Sequence, residues 1–357
     1  MVINHLVLSG GGVVGLVEYG VLKQLSKSNI INYKNIKSVY ATSVGSYIGL
    51  IYLLNYKWEW MDDFLIKRQL DKLVTNKLSL YDFFFKKGIV DEDLIIKIIK
   101  PLLLGKDLDE NTTLKQFYDI NKIKFNIYVS NMSLFKKEVF NYITTPDIPI
   151  IKAITISMSV PILFQPNYYN NNLYLDGGIF VNTPLNECYL NENCDKNNIL
   201  VLFNDTRFCI DLSNSYYLKN NYDFSSEKKT IQDISNNFNI LDYVLMLIKI
   251  LFGKISNFEN ENTMTIDNVI HIALQPSTID INYWNYALKN ESERIYLIDL
   301  GMKQANNFIN KKSNYILDDK IISSIDFDLN LDISNTISNI IIDNSNIIID
   351  NSDIKIN

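Results

Sequence analysis

The sequence predicts a layered α/β domain followed by an acidic low-complexity tail, and three observations predict it. Two short apolar runs, His5–Leu8 and Val39–Ala41, each pass almost directly into a helix with an apolar stripe, the rhythm of a sheet covered by helices. Apolar runs of strand length keep recurring between helical segments as far as residue 309. Past residue 312 the chain repeats Asn-Ile-Ile-Ile-Asp-Asn-Ser at 339–345 and again at 346–352. Such low complexity reads as a poorly ordered appendage whose Ile triplets pair weakly at most.

The elements follow in order. His5-Leu6-Val7-Leu8 is a strand ending at Ser9-Gly10-Gly11-Gly12, and Val14, Val17, Val21 and Leu25 stripe the helix after it. Val39 to Thr42 is the second strand, and Ser43 turns it into a helix striped by Tyr47, Ile48, Ile51 and Tyr52. Leu80–Gly88 packs aromatics beside Lys86 and Lys87, which suits an interfacial loop or a buried cap over the site. Asp91–Leu104 is an insertion helix that meets Pro101 and stops at Gly105. Lys124–Val129 and Lys137–Tyr142 are strands, and Ala153 opens a helix ending at an apolar loop bracketed by Pro161 and Pro166. Leu173–Asp176, Ile199–Phe203 and Val269–Leu274 are further strands, and the helix Glu291–Ile309 closes the ordered body. Ile240–Phe252 is strongly apolar, but its 13 residues include Asp242 and Lys249. It is too short to span a bilayer and reads as a core or membrane-surface helix.

The chemistry sits at the strand ends. A serine at a strand-to-helix junction rides a sharp turn with its hydroxyl exposed, and small neighbours such as Ala41 and Gly45 let the backbone turn tightly. Consecutive glycines allow successive N–H groups to converge on one point. Attack of Ser43 Oγ on an ester develops charge on the carbonyl oxygen, and losing one donor to it typically costs about 3 kcal/mol of barrier. Asp176 ends its strand on a turn that Gly177 and Gly178 keep open. The chain has only two histidines. His5 precedes the glycine loop and lies away from the strand's C-terminal end, where parallel sheets place active sites. His271 reads as the interior of a strand, a satisfied or half-buried structural residue, which leaves Asp176 as the economical base. Two rivals use the same residues. Gly10, Gly12 and Gly15 spell the dinucleotide fingerprint, but the second strand ends at Ser43 and lacks the acidic residue that ribose binding needs. An α/β-hydrolase triad of Ser43, Asp176 and His271 has an allowed order, with its histidine in the wrong kind of element.

The glycine loop, the serine elbow, the segment Ser157-Met158-Ser159-Val160-Pro161-Ile162-Leu163-Phe164-Gln165-Pro166 and the Asp176-Gly177-Gly178 turn occur in one order. In that order, from about His5 to Leu190, the chain resembles the patatin-like phospholipases. The resemblance implies a three-layer α/β sandwich with a mostly parallel central sheet. It implies a Ser43–Asp176 dyad, an oxyanion loop of Gly10, Gly11 and Gly12 with Gly15 after it, and hydrolysis of lipid esters, glycerophospholipids above all, at a membrane surface. No metal or cofactor is implied, because the glycine loop takes the place of a Lewis acid. Two positions depart from the family pattern: Ala41 stands where the family usually has glycine, and Val14 where it often has a basic residue. A non-catalytic lipid-binding member of the same fold is the alternative these departures would favour.

Composition bounds the rest. The net charge of −6 belongs to the tail, since eight aspartates and two lysines follow residue 312 and the body is formally neutral. A neutral body offers no basic field for nucleic acid. Cys188, Cys194 and Cys209 lack metal-ligand spacing and read as reduced thiols. Met1 to His5 carries no basic region and enters a core strand at once, so no signal peptide is expected. With no span long enough to be transmembrane, the expectation is an intracellular protein, cytoplasmic or peripheral to membranes. The expected organisation is a core over 5–190, the rest of the same body over 191–312, and the tail over 313–357.

Overall fold

The computed structural model describes residues 2–68, 88–90, 92–204, 266–272 and 281–310. Contacts divide the chain into a body, Met1–Asn310, and a C-terminal segment, Lys311–Asn357. That segment lies outside the described residues, as do the aromatic run up to Lys87, the apolar stretch 240–252 and Cys209.

The first part of the body runs β1 (His5–Leu8), α1 (Val14–Lys27), β2 (Ser38–Thr42), α2 (Val44–Leu53) and α3 (Trp58–Lys67). There follow β3 (Gly88–Val90), α4 (Glu92–Leu104), α5 (Leu114–Asn121), β4 (Lys124–Asn131), β5 (Lys136–Phe140) and α6 (Ile150–Ser157). Next come β6 (Ile162–Phe164), β7 (Asn167–Tyr169), β8 (Asn172–Asp176), α7 (Leu185–Glu192) and β9 (Ile199–Asn204). The described part closes with β10 (Val269–Ile272), α8 (Ile281–Lys289) and α9 (Glu291–Asn310).

The main sheet has the order β10-β9-β1-β2-β4-β8-β7, with β5 on the flank of β4. From β10 to β4 the strands are parallel; β5, β8 and β7 join antiparallel. Side chains alternate between two cores, as strand geometry requires. Leu6, Leu8, Val39, Ala41, Ile127 and Val129 face the core shared with Val14, Ile48, Ile154 and Leu297 of the helices. Val7, Tyr40, Tyr128 and Val201 face the other core, with Cys188 of α7. Burial on both faces explains why β1 and β2 are apolar without alternation. This is the three-layer, mostly parallel arrangement expected.

Three details differ from the sequence reading. The helix ending at Ser157 begins at Ile150, directly after Pro149, and every residue in it except Lys152 is buried. The bracketed apolar run is a strand, β6, which pairs in parallel with β3 in a separate two-stranded sheet. Pro161 and Pro166 lack the N–H needed to extend that ladder, which keeps it to three residues. His271 does lie in a strand but is exposed, its ring against Phe203 at 5.6 Å, because β10 ends the described sheet. Buried Arg294 ties the last helices in place by donating to carbonyls of Ile66, Arg68, Ala287 and Leu288.

Candidate active site

Ser43 stands between β2 and α2 with φ 53° and ψ −130°. A side chain in that region costs about 1–2 kcal/mol, and the surroundings hold it there. Its N–H donates to Ser157 Oγ at 2.9 Å, while the Ser157 hydroxyl donates to the Tyr128 carbonyl at 2.7 Å. Ser46 Oγ donates to the Ser43 carbonyl at 2.5 Å. The first turn of α2 lies so close to the end of β1 that a Cβ on Gly45 would stand 2.6 Å from the Leu8 oxygen and 2.7 Å from that of Ser9. Glycine is therefore obligatory after the serine and not before it: Ala41 is ordinary strand within β2, outside the positive-φ set, so its Cβ brings no backbone strain.

Antiparallel pairing brings the carboxylate in. Asp176 is opposite Val129 on β4, and Thr42 is opposite Tyr128 one residue earlier, so the end of β8 lies over the end of β2. Ser43 Oγ donates to Asp176 Oδ2 at 2.6 Å, and the Gly178 amide donates to Oδ1 at 2.7 Å. The main chain of Asp176 is pinned as well, its N–H to the Ser159 carbonyl at 2.9 Å and its carbonyl by Ser130 Oγ at 2.8 Å. Asp176 is 5% exposed. Burial pushes its carboxyl up to about 7, although the Ser43 hydroxyl and the Gly178 amide pull the other way. Gly177 passes so close to β4 that a Cβ would sit 2.2 Å from the Tyr128 oxygen.

The glycine loop abuts the serine: a Cβ on Gly10 would lie 2.9 Å from Ser43 Cβ. Its three N–H groups are not equivalent. That of Gly10 donates to the Asn182 carbonyl at 3.2 Å, and the Gly10 carbonyl accepts from Asn204 Nδ2 at 2.8 Å and Asn182 Nδ2 at 3.3 Å. Gly10 thus anchors the loop, while the N–H groups of Gly11 and Gly12 have no acceptor among the described residues. Gly12 has φ 59°, and Trp284 of α8 packs where its side chain would be. Gly15 lets α1 meet α2 at Val44. Val14 is fully buried in the core, so the loop carries no fixed positive charge at that position.

Neither histidine comes near. His5 pairs with Ser38 at the start of the strands, five residues before Ser43, or roughly 16 Å along the sheet. It hydrogen-bonds Ser38 Oγ, and burial lowers its pKa. His271 lies on β10, separated from β2 by β9 and β1, or roughly 14 Å across the strands. The sequence also gave no warning of several supports. Ser157 lies in the segment before Asp176, and no local pattern there marks it as the partner of the Ser43 N–H. Asn182, Asn204 and Trp284 reach the loop from 172 residues away or more, where no local pattern points to them. Glu18 of α1 is fully buried; the Ser9 amide faces it, yet neither carboxyl oxygen has a hydrogen-bond partner among the described residues. Burial holds its pKa well above the usual carboxylate range.

The patatin-like phospholipase family matches residues 6–189, just over half of the chain. The chain belongs to this family. A probable lipid hydrolase of Invertebrate iridescent virus 6 is 30% identical over 183 residues, covering 50% of this chain and 61% of that protein. A triacylglycerol lipase of Schizosaccharomyces pombe is 27% identical over 175 residues, 45% of this chain and 33% of the lipase. The match therefore spans less than two thirds of each relative. Among solved structures, VipD from Legionella pneumophila aligns with 86% of this chain and 67% of its own at 16% identity and a TM-score of 0.40. Among the described residues no helix is long and apolar enough to cross a membrane.

Proposed function

We propose that this patatin-family chain is a lipid acyl ester hydrolase of phospholipase A type, working through an acyl-enzyme on Ser43. The observation that carries the reading is the 2.6 Å hydrogen bond from Ser43 Oγ to Asp176 Oδ2, beside a loop with two N–H groups that have no acceptor among the described residues. Ser43 Oγ attacks the ester carbonyl carbon as its proton passes to Asp176. The oxyanion is held by the N–H groups of Gly11 and Gly12. Collapse breaks the bond to the alcohol, which takes the proton from Asp176 and leaves. Water then attacks the acyl-serine, gives its proton to Asp176, and the fatty acid departs as that proton returns to Ser43 Oγ. A base lifted to about 7 by burial is matched to this shuttling near neutral pH.

The test is a fluorophosphonate probe with mass mapping of the adduct, run beside hydrolysis of a short-chain ester and of a phosphatidylcholine. The adduct is expected on Ser43 and absent from Ser43→Ala. Asp176→Asn should lose at least the roughly 10²-fold typical of general-base removal. An adduct on Ser9 or Ser46, or activity that survives Ser43→Ala, overturns the assignment. A folded His271→Ala as inactive as Ser43→Ala would favour the triad instead.

A further inference from the structure

We propose that the tip of the β4–β5 hairpin is an apolar anchor that seats the Ser43 end of the sheet on a lipid surface; this rests on the reading of Ser43 as a lipid-ester nucleophile. Strand β4 continues past the level of Asp176, paired with Val129, to Asn131 before it turns, so the tip stands roughly 7 Å or more beyond the dyad. At the tip Leu134 is 56% and Phe135 69% exposed, whereas every residue of β4 from Phe125 onward is buried.

Turn chemistry does not ask for these residues. Phe135 has φ 49°, a region where glycine or asparagine is the cheap choice and a bulky side chain is a costly one. The neighbouring β7–β8 hairpin meets the same need with Asn170 and Asn171, at φ 45° and 59°. The two turns are joined by the Leu173 N–H donating to Ser133 Oγ at 2.9 Å. Phenylalanine at the first turn thus serves its side chain and not the backbone. Its ring also meets Phe180 edge-on at 5.2 Å, four residues after Asp176, which places the tip at the same end of the sheet as the dyad.

The attraction is apolar and not ionic. Lys136 pairs with Glu138 at 3.2 Å and Lys137 with Glu187 at 2.8 Å, which neutralises the basic residues beside the tip. Insertion of a leucine and a phenylalanine should therefore work on a zwitterionic surface and survive salt that screens exposed charges. Trp60, 43% exposed and stacked between Tyr56 and Phe64, supplies an internal contrast. It lies seven residues past the end of α2, at the far end of the helix that starts beside Ser43.

The test is sedimentation of the full chain with phosphatidylcholine vesicles, with and without phosphatidylserine, from about 0.1 M to about 0.5 M salt. Asparagine suits the positive φ, so Phe135→Asn keeps the turn, and Leu134→Asn alone removes apolar area without touching that residue. Each single variant should weaken vesicle binding, and the double variant should weaken it by about 10-fold or more. Short-chain ester turnover should stay near that of the parent, and Trp60→Ala should bind like the parent. A tryptophan placed by Leu134→Trp should shift its emission to the blue on vesicles. The proposal is overturned if the parent does not bind, if the double variant binds as the parent does, or if binding disappears with salt. Vesicle binding measured on Ser43→Ala separates this outcome from the hydrolase reading, which the short-chain ester tests by itself.

Discussion

If Asp176 takes the serine proton, the pH profile of kcat/KM on a soluble ester should report its buried ionisation. The carboxyl is pushed up from 3.8 to about 7 by burial. Only the ionised form accepts the proton, so turnover should rise with pH and level off above about 8. With an apparent pKa of about 7, roughly 9% of molecules carry the base at pH 6 and roughly 1% at pH 5. A carboxylate at its ordinary value would be over about 99% ionised at pH 6, so the two cases differ about tenfold there. Stability should move in the opposite sense. A folded-state pKa above the unfolded one favours folding below pH 3.8, and that contribution is lost as pH rises through 7. The rise from 3.8 to about 7 corresponds to at most about 4 kcal/mol of destabilisation above pH 7. Asp176→Asn should therefore melt higher than the parent at pH 8, the gap closing towards pH 4, while losing turnover. An acid limb with an apparent pKa below about 5, or no stability gain at pH 8, would refute the reasoning.

Three further outcomes follow from contacts in the body. Gly45→Ala drives a Cβ into the Leu8 and Ser9 carbonyls; overpacking of this kind costs about 1–3 kcal/mol, so the melting temperature and probe labelling should both fall. Ser157→Ala leaves the buried Ser43 N–H and the Tyr128 carbonyl without their shared partner. Urea unfolding should show a loss of about 1–3 kcal/mol, and turnover should fall more than KM rises, because the turn that carries Ser43 loosens. Glu18→Gln removes a carboxyl whose burial raises its pKa above 4.5. Its penalty grows as pH rises past that value, so the variant should be more stable than the parent at pH 8 and gain little at pH 4.

Much of this was legible in the residues, for identifiable reasons. Val14, Val17, Val21 and Leu25 are fully buried because an amphipathic helix on a sheet has one apolar stripe and one place to put it. Ser43 could be read because its junction is local: an apolar strand, a small-residue turn and an apolar helix, all within a dozen positions. Asp176 could be read as a strand end, but its direction could not. It reaches Ser43 because β8 runs antiparallel to β4, and pairing direction is set by partners far away in sequence. The split role of the glycines was hidden for the same reason. Gly10 donates to Asn182, and no spacing within the loop distinguishes its N–H from those of Gly11 and Gly12. The bracketed segment misled as to state: prolines on both sides suggest a loop, yet the three residues between them still find a strand to pair with.

The two buried carboxyls sharpen the case for Asp176 as a working group. Burial lifts both Asp176 and Glu18, so a displaced ionisation cannot by itself mark a catalytic residue. What separates them is the company each keeps. Asp176 receives hydrogen bonds at both carboxyl oxygens and at its carbonyl, and donates through its own N–H. Those contacts hold one oxygen against a hydroxyl that stands on a strained turn, beside N–H groups of Gly11 and Gly12 that have no acceptor among the described residues. Glu18 faces the Ser9 amide, but neither of its oxygens has a geometric hydrogen-bond partner among the described residues. Asp176 is fixed from four sides while Glu18 has no such set of contacts among the described residues, and fixed position is what the proposed proton transfer from Ser43 requires.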